Sequence, residues 1–287
     1  MEENKTANNL YHIHITSKRN LFSLNLKEVW KYRDLIWMFT KRSFTLTYKQ
    51  TILGPAWILL NPFITSVIFS VVFGDIAGLG PAGIPQLLFY MCSNGVWNFF
   101  ASCVNGNAST FTANAAVFGK VYFPRLTTPL SKVLSAIINF GIQFLMISCF
   151  LVYYLFRGAV CPNWWAWLLI PLVVIHLGLL GMGIGIIISS MTTKYRDLSI
   201  LVGFGVQLWM YATPVVYPLS QIQGGWLKTV VLINPVTAPM EVFRYAVLGQ
   251  GDVSLISLVL SVIITLACVI FGIMVFNKVE KTFMDTV

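Results

Sequence analysis

The sequence predicts an all-α polytopic membrane protein of six transmembrane helices, and three observations predict it. The first is where charge is missing. Only 10% of the 287 residues are Asp, Glu, Lys or Arg, and none lies in 53–74, 76–119, 133–156, 158–193, 198–227 or 253–277. A soluble domain carries about 25% charged residues, whereas a helix needs about 20 apolar residues to cross the hydrocarbon core. A lone Lys or Arg at mid-bilayer costs about 2.5–3.5 kcal/mol even on the lenient insertion scale, which accounts for the exclusion. The second observation is a hydrophobic content of 57%, too high for a soluble all-helical core that must still cover itself with polar surface. The third is the placement of the remaining cations. Nine lie in the N-terminal arm (Lys5, Lys18, Arg19, Lys27, Lys31, Arg33, Lys41, Arg42, Lys49) and three in 108–132 (Lys120, Arg125, Lys132). Two lie in 191–197 (Lys194, Arg196) and two in the tail (Lys278, Lys281), leaving Arg157, Lys228 and Arg244 for the opposite side. Lys and Arg mark cytoplasmic connections, so both termini are expected in the cytoplasm. The net charge of +9 then faces the anionic inner leaflet, and no nucleic-acid partner is called for.

Residues 1–52 form a polar, basic arm without the apolar segment of a secretory signal, and residues 53–287 form the transmembrane domain. Within the arm, Val29, Tyr32, Ile36 and Phe39 recur at three- and four-residue steps, with Lys27, Lys31 and Asp34 on another face. This pattern predicts a basic amphipathic helix over 27–50 lying at the membrane surface, with Trp30 and Trp37 at headgroup level. The expected spans are 53–74, 85–107, 133–156, 164–190, 198–217 and 253–276. In the fourth, Gly181 and Gly185 form a G-x-x-x-G pair, which suits either packing inside the chain or a dimer seam. Residues 218–252 are moderately apolar but carry Lys228, Glu241 and Arg244 and are broken by Pro235 and Pro239. They read as two short helices that dip into the outer surface and return, which is tolerable only beside protein or a wet cavity.

Several chemistries are missing. No G-x-x-x-x-G-K-[ST] occurs, and the Gly119–Lys120 pair is followed by Val, so the chain lacks the usual phosphate-cradling loop. The five cysteines match no zinc spacing, and His12, His14 and His176 do not form a metal site. His176 falls inside a span, where a hydrogen bond to a neighbouring helix is expected. No span contains the carboxylate that ion-coupled transporters keep near mid-membrane. The chain is therefore expected to be no enzyme, to hold no cofactor or metal, and to draw its energy from a partner.

The stretches "YKQTILGPAWILLNP" (48–62), "KVYFPRLTTPLSKV" (120–133), and "TPVVYPLSQI" with "INPVTAPMEVFRYAVLG" (213–222, 233–249) resemble the membrane subunits of ABC type-2 polysaccharide exporters. This family exports O-antigen, capsule and teichoic-acid chains. The resemblance implies an N-terminal interface helix, six spans, a cytoplasmic coupling helix between spans 2 and 3, and two short re-entrant outer gate helices before span 6. It also implies a homodimer, two cytoplasmic ABC ATPase subunits that bind ATP and Mg, and a glycan on a lipid pyrophosphate carrier.

On that resemblance, the 118–132 segment is the coupling helix, with Lys120, Val121, Tyr122, Phe123, Pro124 and Arg125 as the knob that enters the ATPase. Composition alone fits an interfacial anchor equally well. Lys194, Tyr195 and Arg196 form a second basic turn on the same side. Arg33, Lys41, Arg42 and Lys49 suit a carrier pyrophosphate at the entrance, although anionic lipid explains them too. Trp97, Phe99, Phe100, Trp209, Tyr211 and Tyr217 fit an aromatic-lined conduit for sugars, or else an ordinary aromatic belt. Two rivals remain: a type-2 exporter of drugs or lipids, and a membrane-embedded glycan-modifying enzyme. The enzyme would have to use Asp75, Glu241 or Asp252 on the outer side, and the i, i+3 spacing of Glu241 and Arg244 is more simply a helix pair.

Overall fold

The computed structural model describes residues 26–49, 51–118, 123–192, 197–222 and 224–286, and among these the regular elements are all helical. The arm forms α1 (Leu26–Lys31) and α2 (Arg33–Tyr48), separated by a turn at Tyr32. A 3-10 turn at Gly54–Ala56 leads into α3 (Trp57–Phe69), which runs on as π-helix through Ser70–Ile76. There follow α4 (Gln86–Ala108), α5 (Thr110–Phe118) and α6 (Thr127–Phe156). A 3-10 stretch at Trp164–Leu169 precedes α7 (Ile170–Thr192), and α8 spans Leu198–Tyr211. The chain ends with α9 (Trp226–Ile233), α10 (Thr237–Leu248) and α11 (Leu255–Thr286).

Five of the described helical segments are long and apolar enough to cross a membrane: Gly54–Ile76, Gln86–Ala108, Thr127–Phe156, Trp164–Thr192 and Leu255–Val279. The expected span at 198–217 is shorter, because α8 stops at Tyr211 after 14 residues. At 1.5 Å per residue such a helix rises about 21 Å, against a hydrocarbon core of about 30 Å. Pro214 supplies the reason, since it lacks an N–H and disfavours helical backbone at the residue before it.

Other prolines sit where a helix tolerates them. Pro129 and Pro239 lie in the first turns of α6 and α10, whose N–H groups have no intrahelical partner. Pro62 lies inside α3, and its carbonyl accepts hydrogen bonds from Ser66 Oγ (2.7 Å) and from Asn94 Nδ2 of α4 (3.1 Å).

The central helix is α4, packed against α3, α6, α7, α8 and α10. Its seam with α7 is set by small residues. A Cβ on Gly181 would come within 2.6 Å of Cys103 Cβ, and one on Gly185 within 2.5 Å of Asn107 Cβ. On the other side of α7, a Cβ on Gly272 of α11 would lie 2.9 Å from the Gly183 carbonyl. The glycine pair thus serves packing inside the chain. His176 Nε2 lies 2.9 Å from Ser261 Oγ and 3.2 Å from Thr265 Oγ1 of α11, the interhelical bonding expected of a polar group inside a span.

Candidate functional site

The two ends of α6 mark two polar regions, the arm side near Thr127 and the opposite side near Phe156. On the arm side, α2 lies against the start of α6. Val29 is buried, Tyr32, Ile36 and Phe39 are half-buried, and Trp30 and Trp37 are exposed, as the amphipathic pattern requires. Thr40 fixes the register, because its hydroxyl donates to the carbonyls of Ile36 (2.8 Å) and Ser131 (3.3 Å). Lys132 Nζ donates to Ser43 Oγ at 3.4 Å. Between these helices and α5 lies a cavity of about 300 Å³, lined by Arg42, Lys132, Ser43, Thr47, Asn114 and Thr128 among others. Among the described residues, two cations, several hydroxyls and no carboxylate line it, a lining that suits an anion able to accept several hydrogen bonds.

Of the four expected entrance cations, Arg42 lines this cavity, while Arg33, Lys41 and Lys49 are spread over the exposed surface of the arm. Arg33 Nε is 3.9 Å from Asp34 Oδ1, an exposed pair of little energetic weight. At the end of α2, burial raises the Tyr48 phenol above its ordinary value, and its ring packs 4.9 Å from Phe44. In the sequence Lys132 is a cytoplasmic charge at the end of the 118–132 segment, with nothing to pair it with Arg42. What gives it a place here is the apposition of α2 and α6, a long-range contact with no local sequence signal.

Of the expected coupling residues, Lys120, Val121, Tyr122, Lys194, Tyr195 and Arg196 lie outside the described residues. Phe123, Pro124 and Arg125 are described and buried. Phe123 packs 5.7 Å from Phe39 and 5.6 Å from Phe118, and the Arg125 guanidinium lies 5.4 Å from the Phe118 ring centroid. Phe118 and Phe123 belong to a small core with Phe111, Met182, Ile186 and Phe276. This half of the expected knob therefore faces the chain's own interior. At the end of a bundle, where water rather than lipid is the alternative, an aromatic ring gains by packing on nearby apolar neighbours.

The opposite side centres on a buried ion pair. Arg244 of α10 is 2% exposed and Glu241 is 3% exposed. Arg244 Nη1 donates to Glu241 Oε1 at 2.6 Å, and Nε and Nη2 both donate to Ser93 Oγ of α4, at 2.9 and 2.6 Å. Nη2 also donates to the carbonyls of Pro214 and, at 3.5 Å, Val215, while the guanidinium stacks 4.2 Å from the Phe89 ring centroid. Glu241 Oε2 accepts from the Asp252 backbone N–H at 3.1 Å. One planar fork thus joins α4, the 212–216 turn and α10, and through Glu241 the loop before α11. The i, i+3 spacing was legible; the burial, and the role of Ser93, were not.

The aromatic residues divide. Trp97, Phe100 and Trp209 form one cluster with centroid separations of 5.4, 5.3 and 6.4 Å, and Phe99 packs on Phe140 at 5.3 Å. Trp97, Phe99 and Phe100 are buried in the core of the chain, so they fill helix interfaces within the single chain. Tyr211 is exposed, and Tyr217 is half-buried with its hydroxyl donating to the Tyr211 carbonyl at 3.3 Å. Spacing cannot distinguish a ring that faces a conduit from one that faces a neighbouring helix.

The family model described as ABC-2 type transporter matches residues 34–248, from α2 through the end of α10. The chain belongs to the ABC-2 type transporter family. Its relatives within that family include two O-antigen export system permease proteins RfbA of Klebsiella pneumoniae. One is 29% identical over 259 residues, covering 88% of this chain and 94% of the relative. The other is 28% identical over 260 residues, with the same coverage. The O-antigen export system permease protein RfbA of Myxococcus xanthus is 27% identical over 223 residues, covering 76% of this chain and 82% of the relative. As an ABC-2 transporter, the chain is a membrane-spanning permease rather than a catalytic enzyme.

Proposed function

We propose that this ABC-2 permease is the membrane subunit of an ATP-driven exporter of lipid-pyrophosphate-linked polysaccharide in a bacterial inner membrane. The observation that carries the reading is the alignment, over 88% of the chain, with proteins named as O-antigen export permeases. The cavity shared by Arg42 and Lys132 supports it, since a cation pair without a carboxylate suits a pyrophosphate at the arm-side entrance.

In this reading α8 and the turn that follows it make the fifth of six spans, and α9 and α10 are the outer re-entrant gate helices. Both termini are cytoplasmic. Two copies of the chain form the conduit and work with two cytoplasmic ATPase subunits, which bind the ATP and Mg. Coupling runs through 118–132 and the Lys194–Arg196 turn. Within the first segment, contact with the ATPase falls to Lys120, Val121 and Tyr122, since Phe123 is committed to the chain's own core.

The test is co-expression with a partner ABC ATPase of an O-antigen export system, in cells that have lost their own exporter, with surface glycan read by immunoblot. Wild type is expected to restore surface glycan and to copurify with the ATPase. Arg42→Gln combined with Lys132→Gln is expected to lower surface glycan by about tenfold or more and leave the ATPase bound, since each lost charge-assisted contact is worth about tenfold. Surface glycan that appears equally well without the chain would overturn the reading.

A further inference from the structure

On the outer side, a cavity of about 260 Å³ lies beside the buried ion pair, lined by Phe89, Ser220, Glu241, Arg244, Gln250 and Asp252 among others. Through Ser220 and Asp252 it adjoins a wider groove whose lining includes Lys228. We propose that this cavity is a subsite for one neutral sugar unit of a glycan at the outer face of the permease. The inference rests on the exporter reading and adds a second place where the cargo is held.

The chemistry of the lining selects the ligand. The Glu241 and Arg244 charges offset each other at 2.6 Å, which leaves the Asp252 carboxylate as the unbalanced charge of the cavity. Among the described residues, the Asp252 and Gln250 side chains have no hydrogen-bond partner and both are exposed at the mouth. An anionic ligand would meet that carboxylate, and among the described residues the cavity's own lining holds no cation beyond the paired Arg244, Lys228 lining only the adjoining groove. A polyol meets the right groups instead. A carboxylate accepts from two adjacent hydroxyls, an amide both donates and accepts, and the Ser220 hydroxyl does either. Pro81, Pro218 and Leu219 supply apolar wall for the C–H face of a ring. A small concave site with apolar walls and a few convergent polar groups is the usual form of a small-molecule site.

The backbone holds this lining open. Gly249 ends α10 in the left-handed conformation, with φ 75° and its N–H donating to the Tyr245 carbonyl at 3.2 Å. Gly251 passes so near α10 that a Cβ would lie 2.6 Å from the Glu241 carbonyl. Asp252 is anchored by its backbone N–H on Glu241, so its side chain is left free for a ligand.

The experiment uses the permease–ATPase complex in lipid nanodiscs. Methyl α-mannoside, methyl α-glucoside, methyl β-galactoside and N-acetylglucosamine serve as neutral probes in saturation-transfer NMR, with glucuronate as the anionic control. At least one neutral probe is expected to bind and glucuronate to give no transfer. Asp252→Asn with Gln250→Ala is expected to weaken that binding by about tenfold or more, the scale of one hydrogen bond to a charged group. Asp252→Asn keeps the backbone N–H, so thermal unfolding should match wild type. No neutral probe binding, or a variant that binds like wild type, overturns the subsite. Surface glycan in the same cells separates the two readings: export intact without sugar binding defeats the subsite alone, whereas export independent of the chain defeats the exporter reading and the subsite's role with it.

Discussion

Replacing Arg244 by Ala is expected to have a large effect on the fold. The guanidinium is 2% exposed and bonds to Glu241, Ser93, Pro214 and Val215. Its removal leaves the Glu241 carboxylate buried with one remaining donor, the Asp252 N–H. Breaking a buried pair from one side costs about 3–5 kcal/mol, because the surviving charge keeps its desolvation penalty and loses its partner. At about 2–4 °C per kcal/mol for a chain of this size, Arg244→Ala should lower the unfolding temperature by roughly 10 °C in detergent, followed by tryptophan fluorescence.

The physical cause is tested by a second change. Arg244→Met with Glu241→Leu removes both charges and roughly conserves volume, so the stranded carboxylate disappears while the Pro214 and Val215 carbonyls still lose their donor and the Asp252 N–H loses its acceptor. The double variant should regain about 1–2 kcal/mol of what Arg244→Ala loses, since these neutral groups cost less to orphan than one buried charge. An Arg244→Ala protein that unfolds within 2 °C of wild type would refute the reasoning, at roughly 1 kcal/mol or less. So would a double variant less stable than the single one, because the stranded charge could not then be the source of the loss.

Four further changes probe the packing. Gly185→Ala drives a methyl into Asn107 Cβ at 2.5 Å and the Val104 carbonyl at 2.8 Å, so size-exclusion profiles should show misfolded protein. Gly203→Ala, with no atom within 4 Å of the new Cβ, should fold normally and gain up to about 1 kcal/mol of helix propensity. Gly249→Ala meets the Cys161 carbonyl and is strained at φ +75°, so thermal unfolding should fall by more than the 1 kcal/mol or so of a tolerated glycine replacement. Phe123→Ala empties a buried aromatic site and should destabilise by about 3–5 kcal/mol, read by thermal unfolding before any coupling assay is interpreted.

The membrane architecture was legible because the bilayer imposes it locally. A span advertises itself by the charges it excludes, and a surface helix by the three- and four-residue steps of Val29, Tyr32, Ile36 and Phe39. His176 and the Gly181–Gly185 pair were legible for the same reason: a polar group in lipid needs a partner helix, and two glycines one turn apart admit one. The chemistry of each polar region depends instead on residues far apart in the chain. Arg42 meets Lys132 across 90 positions, and Arg244 reaches Ser93 across 151, with nothing in either neighbourhood to announce the other. Phe123 is a further case, since an aromatic beside cations and prolines reads as a docking knob from composition, while its contacts with Phe39 and Phe118 come only with the fold. The same argument sets where function is placed in this protein. Lipid-facing positions tolerate few polar side chains, and the two polar regions proposed to hold a phosphate and a sugar lie at the two ends of the bundle. There the helix that supplies one group and the loop that supplies the next are brought together only by the fold.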